Sequence, residues 1–212
     1  MKFAVLLTVP IALLLAASAA ASTEHAAPAR SPAVQTSHSP SGARDPRTYF
    51  TDLELRTHDG KAVRFYTDTM EGRTVVINFI YTHCKDACPL ITQKMLQVRD
   101  LLGDRFNKEV FFITITSDPA RDTPAELKKF AQKQSADVPG WLFLTGSKEN
   151  ISTILKKFGS YSENVEEHLT LLLAGNVPVK RWSKMRPNAP AQLIAERIVT
   201  VATNAGPAGK SQ

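Results

Sequence analysis

One stretch of this chain, residues 74–89 (TVVINFIYTHCKDACP), constrains its fold more than any other. The stretch opens with a run of apolar and β-branched residues, which is typical of a buried central strand. It then contains the only two cysteines of the sequence, Cys84 and Cys88, followed at once by Pro89. Apolar residues recur behind them at helical spacing, at Ile91, Met95, Val98 and Leu102. The two thiols are therefore predicted to lie where a strand passes into a helix.

The other predicted elements alternate between strands and helices. We predict an N-terminal hairpin over 52–65 around Asp59-Gly60, and buried strands at 109–116 and 141–144. Helices are predicted to follow the capping residues Thr123 and Ser147, and a second hairpin to form around Gly175-Asn176. A final helix opens at Pro190 and is predicted to bury Leu193, Ile194, Ile198 and Val201. Strand–helix–strand units imply parallel pairing, and a terminal hairpin adds antiparallel edges. The chain is therefore predicted to be α/β with a thioredoxin-like fold, in which helices flank a mixed central sheet with an N-terminal hairpin. His58, in the first turn, is expected to be exposed.

The composition changes along the chain and predicts four segments. Residues 1–22 are typical of a signal peptide. Alternatively, residues 3–21 are retained as a membrane anchor. Residues 23–47 are rich in Ser, Ala and Pro and are predicted to be a disordered linker. Residues 48–203 form the thioredoxin-like domain, and residues 204–212 a flexible tail. We therefore expect a periplasmic or otherwise exported protein, either free or anchored to the inner membrane.

The charge pattern does not favour nucleic-acid binding. The formal net charge is +6 and the pI is near 9.4, but the lysines and arginines are scattered rather than grouped with aromatic residues. One basic group, formed by Lys180, Arg181, Lys184 and Arg186, could steer an acidic partner, although a solvated edge without a partner is favoured.

The cysteine pair is more informative than the charge. A structural disulfide is one interpretation of two cysteines in an exported protein, but a loop of about five residues removes little entropy from the unfolded chain. A working pair is favoured, whether redox-active, metal-binding or both. The three intervening residues allow both sulfur atoms of Cys84 and Cys88 to converge on one point, as a disulfide or as two ligands of a soft metal. A structural zinc site needs four ligands, whereas thiolates with an imidazole suit copper.

A third ligand has to come from elsewhere in the chain. His168 stands at the entry to a predicted hairpin strand and is an open candidate, about as well explained as an ordinary strand-end histidine. His83 is disfavoured because its side chain should point away from that of its neighbour Cys84. Asp118 lies in the loop after the second buried strand, where loops of a parallel sheet cluster. It could support the site, although a loop-stabilising network with Arg121 and Asp122 is favoured.

Three motifs, FIYTHCKDACP, TSDPARDTP and EEHLTLLL, together resemble the Sco/SenC family, the copper chaperones of cytochrome c oxidase assembly. The resemblance covers residues 48–201. It implies a thioredoxin-like fold and one copper ion, Cu(I) or Cu(II), held by Cys84, Cys88 and His168, with Asp118 in an outer position. It implies as partners the dinuclear copper site of oxidase subunit II or another copper acceptor, and a thioredoxin-like reductant. This chain departs from the family at Lys85, where proline is common, and a lysine there should favour the Cys84 thiolate.

Two other functions remain open at this point. In a thiol-disulfide oxidoreductase, Cys84 would be the exposed nucleophile and Cys88 the resolving thiol, and His168 would be dispensable. A binding module with a structural disulfide would resist mild reductant and bind no metal. Whether the chain is an enzyme is therefore left open by its sequence.

Overall fold

The computed structural model describes residues 46–167 and 170–203, all within the compact unit Pro40–Gln212. The helices are α1 (Pro46–Phe50), α2 (Phe65–Thr69), α3 (Ala87–Leu102), α4 (Pro124–Lys133), α5 (Lys148–Phe158) and α6 (Ala191–Ala202). The strands are β1 (Glu54–Thr57), β2 (Ala62–Arg64), β3 (Thr74–Ile80), β4 (Val110–Thr116), β5 (Trp141–Thr145), β6 (Leu172–Asn176) and β7 (Arg181–Met185). The predicted signal peptide, most of the linker and the tail lie outside the described residues. Within those residues no helix is both long and apolar enough to cross a bilayer.

The seven strands form one mixed sheet in the order β2-β1-β5-β4-β3-β6-β7. β4 pairs in parallel with both β3 and β5, whereas the hairpins β1–β2 and β6–β7 add antiparallel edges. This arrangement confirms the predicted fold class and its N-terminal hairpin. Ile80 pairs with Thr116 at the carboxyl ends of β3 and β4, so the loops that follow these two strands leave the same edge of the sheet.

The central strand β3 is buried along its whole length and separates two apolar cores. Val76 and Ile80 face the core that contains Cys88 and the buried sides of α3, α4 and α6. Val75 and Phe79 face the other core, which contains the buried sides of α2 and α5. A strand that is covered on both faces needs apolar residues at nearly every position, which explains the continuous run in the sequence.

A polar ladder crosses the buried centre of the sheet. The Thr114 hydroxyl donates to Asn78 Oδ1 at 2.7 Å, and the Trp141 indole N–H donates to Thr114 Oγ1 at 2.9 Å. These three residues lie on the adjacent strands β3, β4 and β5. Because a slip of one residue would leave buried polar groups without these partners, the ladder enforces the register of the three parallel strands.

The second hairpin turns later than predicted. Gly175 and Asn176 lie inside β6, and the turn is formed by residues 177–180, where Lys180 has a φ of +56°. A Cβ on Gly175 would come within 2.3 Å of the Trp182 ring, so this glycine makes room for packing. Asn176 Nδ2 donates to the carbonyl oxygens of Val201 and Ala202 at the end of α6. The prediction was wrong because both residues serve tertiary contacts rather than a turn.

The expectation that His58 is exposed is also wrong, because its side chain is buried against β5. Its Nδ1 accepts from the Phe143 backbone N–H at 3.3 Å, and its Nε2 lies 3.2 Å from Asp137 Oδ1. The turn that carries His58 folds onto the strand beside it, which a local sequence pattern does not reveal.

The apolar stripes of the helices follow the predictions with one exception. Leu193 is 57% exposed, and Ala195 takes the expected buried position on α6. The predicted stripes of α3 and α5 are buried throughout. Phe65, predicted as a strand residue, instead begins the short helix α2.

Candidate metal centre

The two cysteines lie at the predicted junction between β3 and α3. Cys84 is in the loop after β3, and Cys88 is in the first turn of α3. The Cys84 backbone N–H donates to the Tyr81 carbonyl, and the Cys88 backbone N–H donates to Cys84 Sγ at 3.2 Å. Both are free thiols, and their side chains also hydrogen bond to each other. The two sulfur atoms are therefore held at one place by the backbone of the turn.

The two thiols differ in exposure and in acidity. Cys84 is half-buried, whereas Cys88 is fully buried. Burial opposes ionisation of Cys84, but hydrogen bonds to its sulfur from Cys88, from the Asp86 backbone and from Tyr81 lower its pKa overall. Burial raises the pKa of Cys88, and its hydrogen bond to Cys84 raises it further. Cys84 is therefore the solvent-accessible thiol of the pair and the one that ionises at lower pH.

Tyr81, which directly follows β3, is a part of the site that the sequence predicted only as a residue of the central strand. Its hydroxyl hydrogen bonds to Cys84, and burial together with this bond raises the Tyr81 pKa to about 12. The negative charge of Glu166, in the 3-10 turn Val165–Glu167, makes a smaller contribution to the same shift. The segment directly before His168 therefore lies within electrostatic range of Tyr81.

Asp122 is the buried carboxylate beneath the cysteine turn. It accepts hydrogen bonds from the Thr82 backbone N–H at 3.1 Å, from the Thr82 hydroxyl and from the Thr116 hydroxyl. Burial raises the pKa of Asp122, and these hydrogen bonds offset part of the rise. Asp122 directly precedes the N-cap residue of α4, Thr123. It therefore joins the start of α4 to the chain that carries Cys84.

The contacts of Asp118 lie within its own loop and at the end of β4. Its carboxylate pairs with Arg121, and its backbone N–H donates to Thr116 Oγ1 at 2.9 Å. Within the described residues, Asp118 forms no hydrogen bond or ion pair with either cysteine. The network with Arg121 matches the favoured interpretation from sequence, whereas the outer-position role of Asp118 stays a prediction. The sequence offered no local signal to prefer Asp122 over Asp118.

Of the two candidate histidines, only His83 lies within the described residues. The His83 side chain is 54% exposed, and its Nδ1 lies 3.2 Å from Thr82 Oγ1 and 3.9 Å from Asp122 Oδ1. His168 lies outside the described residues. Within the described ranges, no three His, Cys, Asp or Glu side chains are grouped so that they could hold a metal ion. The described part of the chain therefore offers two candidate sulfur ligands, Cys84 and Cys88, and the whole ligand set stays a prediction.

The basic group of the second hairpin is spread along the edge strand β7. Arg181 pairs with Asn176, which in turn pairs with Thr74 at the start of β3. Lys180 and Arg181 therefore lie at the end of the sheet opposite to the cysteine turn. Met185 pairs with Leu172, so Lys184 and Arg186 lie closer to the carboxyl end of β3.

The arrangement of the two thiols allows two kinds of chemistry. Sulfur atoms in hydrogen-bond contact need only a small movement to form a disulfide, and as thiolates they can act as adjacent ligands of one soft metal ion. Because Cys84 is half-buried rather than enclosed, another molecule can reach its sulfur atom.

Comparison with known protein families gives a match over most of the folded part. Residues 41–175 match the model of the SCO1/SenC family. A curated relative, the Sco1 protein of Schizosaccharomyces pombe, is 37% identical over 110 residues, which make up 51% of this chain and 40% of the relative. The chain spans about half the length of the curated relatives it matches.

Solved structures of the same family resemble this fold. A SCO1/SenC family lipoprotein from Bacillus anthracis is 28% identical with a TM-score of 0.63, over 72% of this chain and 94% of that one. BsSco, described as a member of the Sco family of cytochrome c oxidase assembly proteins with a disulfide switch, is 26% identical with a TM-score of 0.62, over 73% and 93%. ScoI of Bradyrhizobium japonicum with copper bound is 25% identical with a TM-score of 0.59, over 70% and 96%. With its fold, its paired cysteines and the family match over residues 41–175, this chain belongs to the SCO1/SenC family.

Proposed function

We propose that this protein is an exported copper-binding chaperone that serves cytochrome c oxidase assembly. It would deliver copper to the dinuclear site of oxidase subunit II or another acceptor, or reduce the cysteines of that site. The observation that carries the proposal is the pair of contacting thiols, one half-buried and one buried, at the strand-to-helix junction of a SCO1/SenC chain. Copper bound to ScoI of Bradyrhizobium japonicum supports copper as the cargo.

The donor atoms fit this cargo. Two thiolates in one turn are soft ligands, which Cu(I) prefers, and copper accepts the low coordination number that a pair with one imidazole would offer. We assign Cys84, Cys88 and His168 as the ligands. The electrostatic effect of Glu166 on Tyr81 supports His168, because Glu166 lies two residues before it in the chain. Asp118 would act only through residues around the site.

Loading would depend on the redox state of the pair. A disulfide between Cys84 and Cys88 removes both thiolates, so copper binds only after reduction. A thioredoxin-like protein of the same compartment is one source of electrons. Cys84 is the sulfur atom that such a partner, or a copper acceptor, can reach, because Cys88 is fully buried. An acceptor would therefore displace Cys84 first and Cys88 last.

Cu(I) titration of the reduced domain against a competing chelator tests this proposal. We expect one-to-one binding that is lost in Cys84→Ser and Cys88→Ser, because two-thirds of the ligands are sulfur. His168→Ala should weaken binding by at least about tenfold, or about 1.4 kcal/mol. His83→Ala is the matched control, because His83 lies beside Cys84 but its ring faces Thr82 and Asp122. Binding that is equally strong without His168 would show that the copper site is wrong as assigned.

A thiol-disulfide oxidoreductase is the second candidate function. The asymmetry of the pair favours it, since a half-exposed thiol of lowered pKa is typical of a nucleophile and a buried thiol of raised pKa is typical of a resolving group. This function predicts turnover of disulfide substrates that survives His168→Ala. The same variant therefore separates the two functions, because it should weaken copper binding and leave thiol-disulfide exchange unchanged.

A further inference from the structure

A shallow pocket lies against the exposed flank of Cys84. Its volume is about 210 Å³, and its lining includes Thr82, His83, Cys84 and Pro89 on one side and a face of α4 on the other. The proposed copper site uses the sulfur atoms and the side of the turn near Tyr81. The side that faces α4 is not used by the proposed ligands.

The pocket is held in shape at both ends of α4. At the N-terminal end, Asp122 binds the Thr82 backbone N–H and hydroxyl. At the C-terminal end, Gln93 Nε2 on α3 donates to the Gln134 carbonyl oxygen at 3.2 Å and to its Oε1 at 3.1 Å. Gln134 itself lines the pocket. Because both walls are tied to each other, the pocket exists before a ligand enters it.

The α4 side of the pocket carries two lysines and one glutamate, Glu126, and therefore a net positive charge. Lys129 and Lys133 are one helical turn apart and both contribute to the lining, together with the buried Phe130. Lys129 pairs with Glu126 at 2.7 Å, but both side chains are exposed, so this pair is weak. Lys133 forms no hydrogen bond or ion pair within 46–167 and 170–203. A cation with no competing partner therefore stands beside an apolar wall and a reactive sulfur atom.

We propose that this pocket receives a small thiol that carries carboxylates, of the size of cysteine or a cysteinyl tripeptide. Its carboxylates lie against Lys129 and Lys133 while its sulfur reaches Cys84. The inference rests on the redox cycling included in the proposed function, and it names a reductant of that cycle. The small volume favours such a molecule over an acidic segment of a folded protein, which would need a longer groove.

The exchange has two balanced steps. The thiolate of the small molecule attacks Sγ of Cys84 in the disulfide, so that a mixed disulfide forms and the Cys84–Cys88 bond breaks, and the Cys88 sulfur leaves with the electron pair and takes up a proton. A second thiolate then attacks the sulfur of the bound small molecule. The small disulfide departs, and the Cys84 thiolate is restored. Two small thiols are oxidised, and one protein disulfide is reduced.

Rates of reduction by thiols of different charge test this inference. The full chain is first oxidised, and the rate of its reduction is measured with glutathione and with neutral 2-mercaptoethanol. Each rate is divided by the rate at which the same thiol reduces an uncharged small disulfide, which corrects for the reactivity of the thiol itself. We expect the rate with glutathione to saturate with concentration and to exceed that with 2-mercaptoethanol. Lys133→Ala should lower the rate with glutathione by about threefold to fivefold at low salt and leave the neutral thiol unchanged.

Lys108→Ala is the matched control, because it removes the same charge from an exposed lysine that is paired with Asp104 outside the pocket. Equal rates for the two thiols, or an equal effect of Lys108→Ala and Lys133→Ala, would overturn the inference. So would strong inhibition by an acid-rich peptide without cysteine, which would assign the pocket to a protein segment. Copper affinity is measured on the same reduced variants. Unchanged copper binding by Lys133→Ala separates failure of this inference from failure of the proposed function.

Discussion

An aspartate holds each end of α4, and the two differ in almost every respect. Asp122, before the helix, is fully buried, and among the described residues it accepts hydrogen bonds only from the Thr82 backbone N–H and from the hydroxyls of Thr82 and Thr116. Asp137, after the helix, keeps 24% of its side chain exposed and contacts Lys128 at 2.8 Å and the buried His58. The first contact joins α4 to the cysteine turn, and the second joins it to the N-terminal hairpin.

The pKa values of the two carboxyl groups move in opposite directions. Burial raises the pKa of Asp122, despite its hydrogen bonds to threonines. The hydrogen bond from Lys128 lowers the pKa of Asp137, despite some burial. Neutral donors can position a buried carboxylate but do not fully compensate its charge, whereas a cation stabilises the charged form. Hydrogen-bond geometry therefore holds Asp122 beside the candidate metal centre, whereas the charge of Lys128 stabilises Asp137 at the other end of α4.

Asp122→Ala should have the largest effect on stability. It leaves the Thr82 backbone N–H and the hydroxyls of Thr82 and Thr116 without their acceptor, and we expect a loss of about 3 kcal/mol or more. Urea unfolding measures this loss, and alkylation of Cys88 should become faster because the turn loosens. Asp104→Ala, at a fully exposed carboxylate, is the control. A loss below about 1 kcal/mol would show that Asp122 does not hold the turn.

His58→Ala should rank second, with a loss of about 2 kcal/mol, because a buried N–H of Phe143 loses its acceptor and Asp137 loses one donor. Urea unfolding again provides the measurement. The rate of Cys84 alkylation should stay at the wild-type value, since His58 lies at the hairpin rather than at the turn. A changed rate would contradict the separation of the two ends of α4.

The pH dependence of two further variants should differ in sign. The pKa of Asp122 is raised above 3.8 in the folded protein. The free energy of unfolding of the wild type relative to Asp122→Asn should therefore increase as the pH falls through that raised value, and the increase should be complete below 3.8. The pKa of Asp137 is lowered below 3.8, so the wild-type advantage over Asp137→Asn should be complete above 3.8 and vanish as the pH falls through the lowered value. Urea unfolding from about pH 7 to about pH 3 measures both trends. The same pH trend for Asp122→Asn and Asp137→Asn would contradict the opposite pKa directions of the two carboxyl groups.

Lys128→Ala should have the smallest effect. Lys128 contacts Asp59 and Asp137 at the surface, where ion pairs contribute little and salt screens them. We expect a loss of stability smaller than that of His58→Ala, which disappears in about 1 M salt. Lys108→Ala serves as the control for loss of a surface charge. A loss that persists in high salt would mean that Lys128 acts through packing rather than charge.

Most of the fold could be predicted because its signals are local. Thr123 and Ser147 accept from the backbone N–H groups of Glu126 and Asn150, as their positions before α4 and α5 predicted. The continuous apolar run of β3 correctly predicted a strand that is covered on both faces. The cysteine pair, its spacing and its place before a helix could likewise be read directly.

The parts of the site that sequence missed depend on contacts between distant residues. Asp122 reaches Thr82 across 40 positions, and nothing near either residue distinguishes Asp122 from Asp118. Gly175 and Asn176 carry an ordinary turn signal, yet Trp182 and the end of α6 use them inside a strand. His58 looked like a turn residue because its partners, Phe143 and Asp137, lie far along the chain.

The sequence by itself determined the order of the seven strands and of the four longer helices, because periodicity and capping act over a few residues. It also showed the spacing of the two cysteines and the motifs that resemble the family. Only the tertiary structure decided which thiol is exposed, which carboxylate supports the turn and which lysines stand beside Cys84. These properties depend on burial and on hydrogen bonds between separate elements. Parallel pairing of β3 with β4 brings the cysteine turn and the start of α4 to one edge of the sheet, where Asp122 and the lysines of α4 can act on it.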